Sequence, residues 1–311
     1  MTKTTEIDLM PVGSDNLDIR PISGWVDEWE EGIREEKNRI SLKFPLFDHE
    51  MKGKLRGKLC VILHYGGTKK SLLAQNIVHS NKDNGVRSIY SSMEMGVAEL
   101  INRFVDIEVA HDKGNASYHL ELEHRNNAKV VREIYTDIVG PAYGDLLQIS
   151  QNSGLTCDEY RVMVDKVTDT AGQVDILVVD GLSMMGGKGT ELELANMHTR
   201  GLKELAKDRN IFVICIVHAS RGGDKHTRDV SKHARGSEKI IDNCDFYICP
   251  SLIEDGEGYR KDCGYLRLVN KRGTGNQVDL IYSFDPYRLL MTQTTHDPRD
   301  YDRLVGKADI F

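Results

Sequence analysis

The sequence predicts an α/β fold: a mainly parallel sheet flanked by helices, with antiparallel strands at one edge. Apolar runs bounded by turn residues recur at 59–65 (LCVILHY), 88–92 (SIYSS), 174–180 (VDILVVD), 211–219 (IFVICIVHA), 245–253 (DFYICPSLI) and 265–270 (YLRLVN). The early runs are continuous rather than alternating, which suits strands buried on both faces, and helix-like segments separate them. The later runs, YLRLVN and QVDLIYSF (277–284), alternate apolar with polar residues and predict an antiparallel edge. No internal repeat or low-complexity tract interrupts the pattern.

Ahead of the first strand, residues 25–38 (WVDEWEEGIREEKN) predict a helix with Ser23 as its N-cap. Trp25, Val26, Trp29 and Ile33 form one narrow apolar stripe, which packs either on its own domain or on a neighbouring subunit. The expected organisation is an N-terminal arm over 1–40, a core domain over 41–292 and a C-terminal tail over 293–311. The tail carries acids and ends in Phe311, read either as a frayed terminus or as a docking segment.

The first strand runs straight into Tyr65-Gly66-Gly67-Thr68-Lys69-Lys70-Ser71, followed by the helix-forming LLAQNIVH. This nearly fits the phosphate-binding pattern G-x-x-x-x-G-K-[ST], in which backbone N–H groups cradle phosphates, the lysine reaches the β- and γ-phosphates and the hydroxyl holds Mg²⁺. Both pattern glycines are replaced, the first by His64 and the second by Lys69. A lysine there is strained if the loop demands positive φ, although Gly66 and Gly67 keep the backbone permissive. Lys69 is expected to add positive charge near the phosphates.

Three further strands end in groups that suit the same chemistry. Asp180 closes VDILVVD at the edge where open α/β sheets bind ligands, and its carboxylate suits Mg²⁺; an isolated acid there would as readily cap the next segment. Glu94 follows SIYSS, placed to orient and deprotonate a water. His218 ends IFVICIVH, where it reads either as a satisfied core histidine or as a group that senses the terminal phosphate.

Composition bounds the rest. With 311 residues, 40% apolar and 29% charged, the chain can bury a sizeable core, and no run approaches the 18 apolar residues of a membrane helix. The N-terminus lacks an apolar leader segment, and the six cysteines form no C-x-x-C pair, so reduced thiols and a cytoplasmic setting are expected. A net charge of −7 excludes a protein that coats nucleic acid through bulk basicity, so any such contact is local. The candidate is the basic stretch holding Arg221, Lys225, Arg228, Lys232, Arg235 and Lys239, which otherwise reads as a solvated loop face.

Taken in order, these motifs resemble the RecA-like C-terminal domain of DnaB-family replicative DNA helicases, phage versions included, over about residues 40–290. The resemblance is carried by ISLKFPLFDHEMKGKLRGKLCVIL with its short aromatic turn before the first strand, SSMEMGVAELINR with Arg103, SGLTCDEYR, VVDGLSMM, HASRGG, ARGSEKIIDNCDFYI and NKRGTGNQVDLIYSF. It implies a ring, expected as a hexamer, that hydrolyses ATP or another NTP with Mg²⁺ while moving on single-stranded DNA. Lys70, Ser71, Asp180, Glu94 and His218 would form the nucleotide site. Arg272 would be an arginine finger reaching the nucleotide of an adjacent subunit, with Lys271 beside it. Arg221, Lys225, Arg228 and Lys232 would contact strand phosphates from the channel, tracking the backbone, since no aromatic residue is interleaved among them.

The resemblance also implies a helicase domain without a primase domain, in which the 25–38 helix links neighbouring subunits, and a primase, polymerase or loader as possible partner. Two other readings stay open. A RecA-like recombinase or KaiC-type ATPase shares the core and would form filaments or other rings. A catalytically impaired ring protein that binds DNA or the replisome would need neither Glu94 nor Arg272.

Overall fold

Every residue of β1 (Leu59–His64) is buried, so its side chains alternate between two apolar layers. Cys60 and Ile62 join Phe47, Leu73 and Phe104 on one face of the sheet, while Leu59, Val61 and Leu63 join Tyr160, Leu202 and Leu205 on the other. β5 (Phe212–His218) divides in the same way, with Phe212, Ile214 and Ile216 opposed to Val213, Cys215 and Val217. This period of two, apolar on both sides, makes a central strand of a three-layer domain.

The computed structural model describes residues 40–113, 129, 132–133, 135–219, 225, 227–233, 238–255, 258–286 and 289–295. The helix expected at 25–38, the tail beyond 295 and both Arg221 and Arg235 lie outside the described residues. Within them, β2 (Ser88–Ser92), β3 (Leu147–Ser150), β4 (Ile176–Asp180), β6 (Phe246–Asp255), β7 (Gly258–Asn270), β8 (Gln277–Asp285) and β9 (Leu290–Gln293) join β1 and β5 in one sheet. The order is β3-β2-β4-β5-β1-β6-β7-β8-β9. Pairing is parallel from β3 through β6 and antiparallel from β6 to β9, as the change in patterning predicts.

Helices α1 (Pro45–Met51), α2 (Lys70–Asn81) and α3 (Val97–Lys113) cover the first face through Phe47, Leu73, Ile77 and Phe104. Helices α4 (Cys157–Ala171), α5 (Glu191–Asp208) and α6 (Glu238–Asn243) cover the second through Tyr160, Leu202, Leu205 and Ile240. Both α4 and α5 begin in a full capping box, Thr156 with Glu159 and Thr190 with Glu193, which satisfies orphan N–H groups of the first turn.

Three local features differ from expectation. The aromatic lead-in FPLFD is a helix start rather than a turn: Pro45 pre-sets the first helical residue, and Phe44 packs edge-on against Phe47 at 5.7 Å. β3 and β9 extend the sheet at its two edges; each is only four residues long and carries polar residues within it. β6 and β7 are longer than their apolar runs, forming a hairpin whose distal part has an irregular register between Leu252 and Glu254. All six cysteines are free thiols. No described helix is long and apolar enough to cross a membrane.

The layering makes a checkable contrast between α5 and α4. Leu202 is fully buried in the second apolar layer, whereas Val162 is 67% exposed. Urea titration should show Leu202→Ala losing ~2–5 kcal/mol, and Val162→Ala changing by under about 0.5 kcal/mol.

Candidate functional site

The parallel register brings four chemically distinct strand ends together. His64 at the end of β1 pairs with His218 at the end of β5, Asp180 at the end of β4 pairs with Ile216 of β5, and Ser92 at the end of β2 pairs with Asp180. Met93 N–H then donates to the Asp180 carbonyl at 3.1 Å, which carries the β2 chain across to present Glu94. The phosphate-type loop, Glu94, Asp180 and His218 therefore share one sheet edge. Gly67, Lys69, Lys70, Ser71, Glu94, His218 and Arg103 line a cleft there of about 380 Å³.

The loop keeps the conformation of its pattern without the pattern's glycines. Lys69, in the place of the second glycine, has φ 65° and ψ 27°, a left-handed residue that ends the loop and admits α2. For a lysine that conformation costs ~1–2 kcal/mol. Its ammonium lies 4.7 Å from the Phe284 ring centroid on β8, a cation–π contact of ~0.5–2 kcal/mol that offsets much of the cost. The charge expected near the phosphates is thus tethered to the antiparallel part of the sheet, and burial lowers the Lys69 pKa. His64 does not enter the loop at all. It completes β1, and its Nε2–H donates to the Thr227 carbonyl at 2.7 Å. Burial pulls its pKa down to about 4, so the ring is neutral near pH 7.

Lys70 is 4% exposed and donates to the Tyr65 carbonyl at 2.8 Å, folding back over its own loop, where Thr68 Oγ1–H donates to the same carbonyl at 3.0 Å. Burial lowers its pKa to about 8, against the opposing pull of the Glu94 and Asp180 charges. Gly67 has φ 80°, and a Cβ built on Gly66 would meet nothing within 4 Å, leaving the loop backbone open to a ligand.

Glu94 accepts a hydrogen bond from His218 Nε2–H at 2.7 Å, and that bond is the main reason its carboxyl lies below the ordinary range. Glu94 is thereby held as a carboxylate at the cleft. Asp180 is fully buried; Tyr90 O–H donates to its Oδ2 at 3.0 Å, while its Oδ1 has no hydrogen-bond partner. Burial is the main reason its carboxyl sits above the ordinary value. An orphaned buried carboxylate oxygen beside Ser71 at the start of α2 fits a divalent cation with oxygen ligands.

The remaining sequence candidates fall elsewhere. Lys271 and Arg272 lie in the exposed turn between β7 and β8. Lys271 Nζ donates to the Ile241 carbonyl at 2.8 Å and to Asp242 Oδ1 at 3.0 Å; Arg272 Nη2 donates to the Asp242 carbonyl at 2.9 Å. Asn270 pairs with Phe246, which is level with Cys60 at the start of β1. That turn is therefore at the opposite end of the sheet from the phosphate loop, ~17 Å away along the strand rise. The Glu50 carboxylate of α1 fixes the turn by accepting from Asn270 at 3.1 Å, Asn276 at 3.2 Å and the Thr274 hydroxyl.

Of the basic stretch, Lys232 is exposed on the short 3₁₀ turn Ser231–His233, and Arg228 lies over the Tyr265 ring at 4.0 Å. Lys225 reaches the phosphate loop itself, since a Cβ on Gly67 would stand 3.2 Å from its Nζ. Sequence reasoning missed Tyr90 and Glu50 as members of these sites. Tyr90 sits in an otherwise apolar buried strand, and its hydroxyl was the available signal; nothing in the sequence marked Glu50.

The lowered Lys70 pKa sets a pH dependence. Anion binding needs the ammonium, and in the free protein the proton leaves as pH rises through about 8. Titration with a fluorescent ADP analogue should show affinity flat below about pH 7.5 and falling above about 8 with a slope approaching tenfold per unit, while Lys70→Met should bind weakly with no such slope.

The family model described as DnaB-like helicase C terminal domain matches residues 40–250. Among solved structures, one described as the ATPase domain of a larger protein superposes with a TM-score of 0.73 at 16% identity, covering 89% of this chain and 100% of that one. "The Structure Of A DnaB-Like Replicative Helicase And Its Interactions With Primase" gives a TM-score of 0.64 at 16% identity, over 88% of this chain and 67% of that one. At such identity the structural likeness speaks to the fold, which is RecA-like. No curated protein sequence matches. The family model spans most of the chain, and the strand-end groups it brings with it are in place: the chain belongs to the DnaB-like helicase C-terminal domain family, whose members are NTP-hydrolysing helicases.

Proposed function

We propose that the protein is a replicative DNA helicase that hydrolyses ATP with Mg²⁺ and translocates on single-stranded DNA as a hexameric ring. The observation that carries this reading is the separation of the two halves of the catalytic set. Lys70, Ser71, Asp180 and Glu94 stand at the C-terminal ends of the parallel strands, and Arg272 stands at the opposite end of the sheet. A cation so placed serves no site in its own subunit, and it suits one in a neighbour.

In this reading the loop backbone with Gly66, Gly67 and Thr68 cradles the phosphates, Lys70 neutralises the terminal ones, and Ser71 and Asp180 hold Mg²⁺. The metal's chemistry when bound is neutralisation of charge on the phosphate oxygens. Glu94 takes the proton of the attacking water. His218, bonded to Glu94, ties the base to β5, whose continuation is the basic stretch. Arg272 of one subunit, supported by Lys271, stabilises charge on the phosphoryl group held by the next. Arg221, Arg228 and Lys232 contact strand phosphates, and Lys225 lies between that stretch and the phosphate loop. The family match favours a helicase over a recombinase or a KaiC-type ATPase, and the intact Glu94 and Lys70 favour an active ring over a binding protein. A primase, polymerase or loader is the partner class, the host cytoplasm the setting and a phage-type chain the source.

Lys70→Ala should abolish ATP hydrolysis with and without single-stranded DNA while leaving the circular dichroism spectrum unchanged; undiminished hydrolysis would sink the site assignment. Arg272→Ala should be similarly inactive alone. Mixing the two inactive variants should restore part of the hydrolysis, because some interfaces then combine an intact Lys70 with an intact Arg272. Mixtures that stay inactive would contradict action across subunits.

A further inference from the structure

Tyr90 occupies a position of β2 that the fold would fill equally well with an apolar side chain. It is fully buried, and its ring packs edge-on against Phe104 at 5.9 Å in the first apolar layer. Its hydroxyl nevertheless faces two acceptors, Asp180 Oδ2 at 3.0 Å and the Ser71 backbone carbonyl at 3.3 Å. A phenol has one proton, so the two share it, with the shorter bond to the carboxylate. These acceptors belong to the two residues assigned above to Mg²⁺, one on β4 and the other on the first turn of α2.

We infer that Tyr90 is a positioning residue for the metal site: its hydroxyl occupies Oδ2 of Asp180 and ties that carboxylate to the Ser71 turn, leaving Oδ1 as the oxygen free for Mg²⁺. Three observations support this. Oδ1 is the buried atom without a hydrogen-bond partner, so the two oxygens of Asp180 are already differentiated. A carboxylate with both oxygens unpartnered in a buried site would be poorly fixed in rotation and costly to keep charged, and a single donor on the far oxygen addresses both. Burial together with the adjacent Asp180 charge pushes the Tyr90 phenol well above its ordinary range, so it remains a donor at any working pH. Tyr90 touches neither the cleft lining nor a reacting atom, which separates it from the catalytic groups.

The inference rests on the Mg²⁺ reading of Ser71 and Asp180, and the experiment separates the two. The probe is Mn²⁺, titrated by electron paramagnetic resonance into the full-length protein saturated with a non-hydrolysable ATP analogue. Tyr90→Phe keeps the ring and removes only the oxygen; Tyr90→Leu serves if that variant does not fold. The wild type should bind one Mn²⁺ per nucleotide site, and the variant should bind it about tenfold more weakly. Affinity for a fluorescent ADP analogue in EDTA should stay within about twofold. Equal Mn²⁺ affinity in wild type and variant would overturn the inference, as would an equal loss of metal-free nucleotide affinity, which would mark Tyr90 as a support of the loop alone. A wild type that holds no Mn²⁺ beside the nucleotide would instead overturn the Mg²⁺ reading beneath it.

Discussion

The site depends on how a buried strand becomes a buried helix within five residues. β1 is fully inside the sheet and α2 begins with a lysine that is itself inside, so the chain has no room to wander between them. Tyr65 to Lys69 must turn, leave their N–H groups facing a ligand and hand over to a helix, and the last of them must be left-handed. Glycine meets that demand at no steric cost. Lys69 meets it by anchoring its ammonium on Phe284, which transfers part of the loop's stability to β8. The phosphate loop and the antiparallel edge of the sheet are consequently one mechanical unit, joined by a contact that a glycine could not make.

From that turn the other groups follow by register. Parallel pairing of β2, β4, β5 and β1 aligns their C-terminal ends, and each ends in a side chain able to do chemistry. The low-dielectric edge then makes the charges interdependent: Lys70 loses proton affinity through burial, and the Glu94 and Asp180 charges restore part of it. A polyanion entering such a cleft completes the balance, which accounts for a lysine being kept where water cannot reach it. At the far end of the sheet Asp245 performs a comparable service, accepting from Leu59 N–H at 2.7 Å and Lys203 at 2.6 Å, and from there the Lys271–Arg272 turn projects.

Most of this was legible in the sequence because it is written in local runs. The strands β1, β2, β4, β5 and β6 are apolar stretches long enough to be unmistakable, and the groups at their ends are read by position. β3 and β9 were not, since four half-polar residues such as LQIS become strands only when a neighbour supplies the ladder. The destination of Lys69 was equally hidden: its partner Phe284 is far away along the chain, and local pattern placed its charge at the phosphates. Lys225 belongs to the same class, grouped in sequence with a basic stretch yet carried by the fold to Gly67. Tyr90 and Glu50 act through long-range hydrogen bonds, which no periodicity records.

The most direct measurement of the central claim is strand displacement from a forked DNA duplex with one single-stranded arm, followed by gel or fluorescence. With ATP and Mg²⁺ the protein should release the labelled strand, and Glu94→Gln should bind the fork in the presence of ATP yet release nothing. Binding of the fork without release by the wild type, or release that needs no nucleotide, would contradict the account.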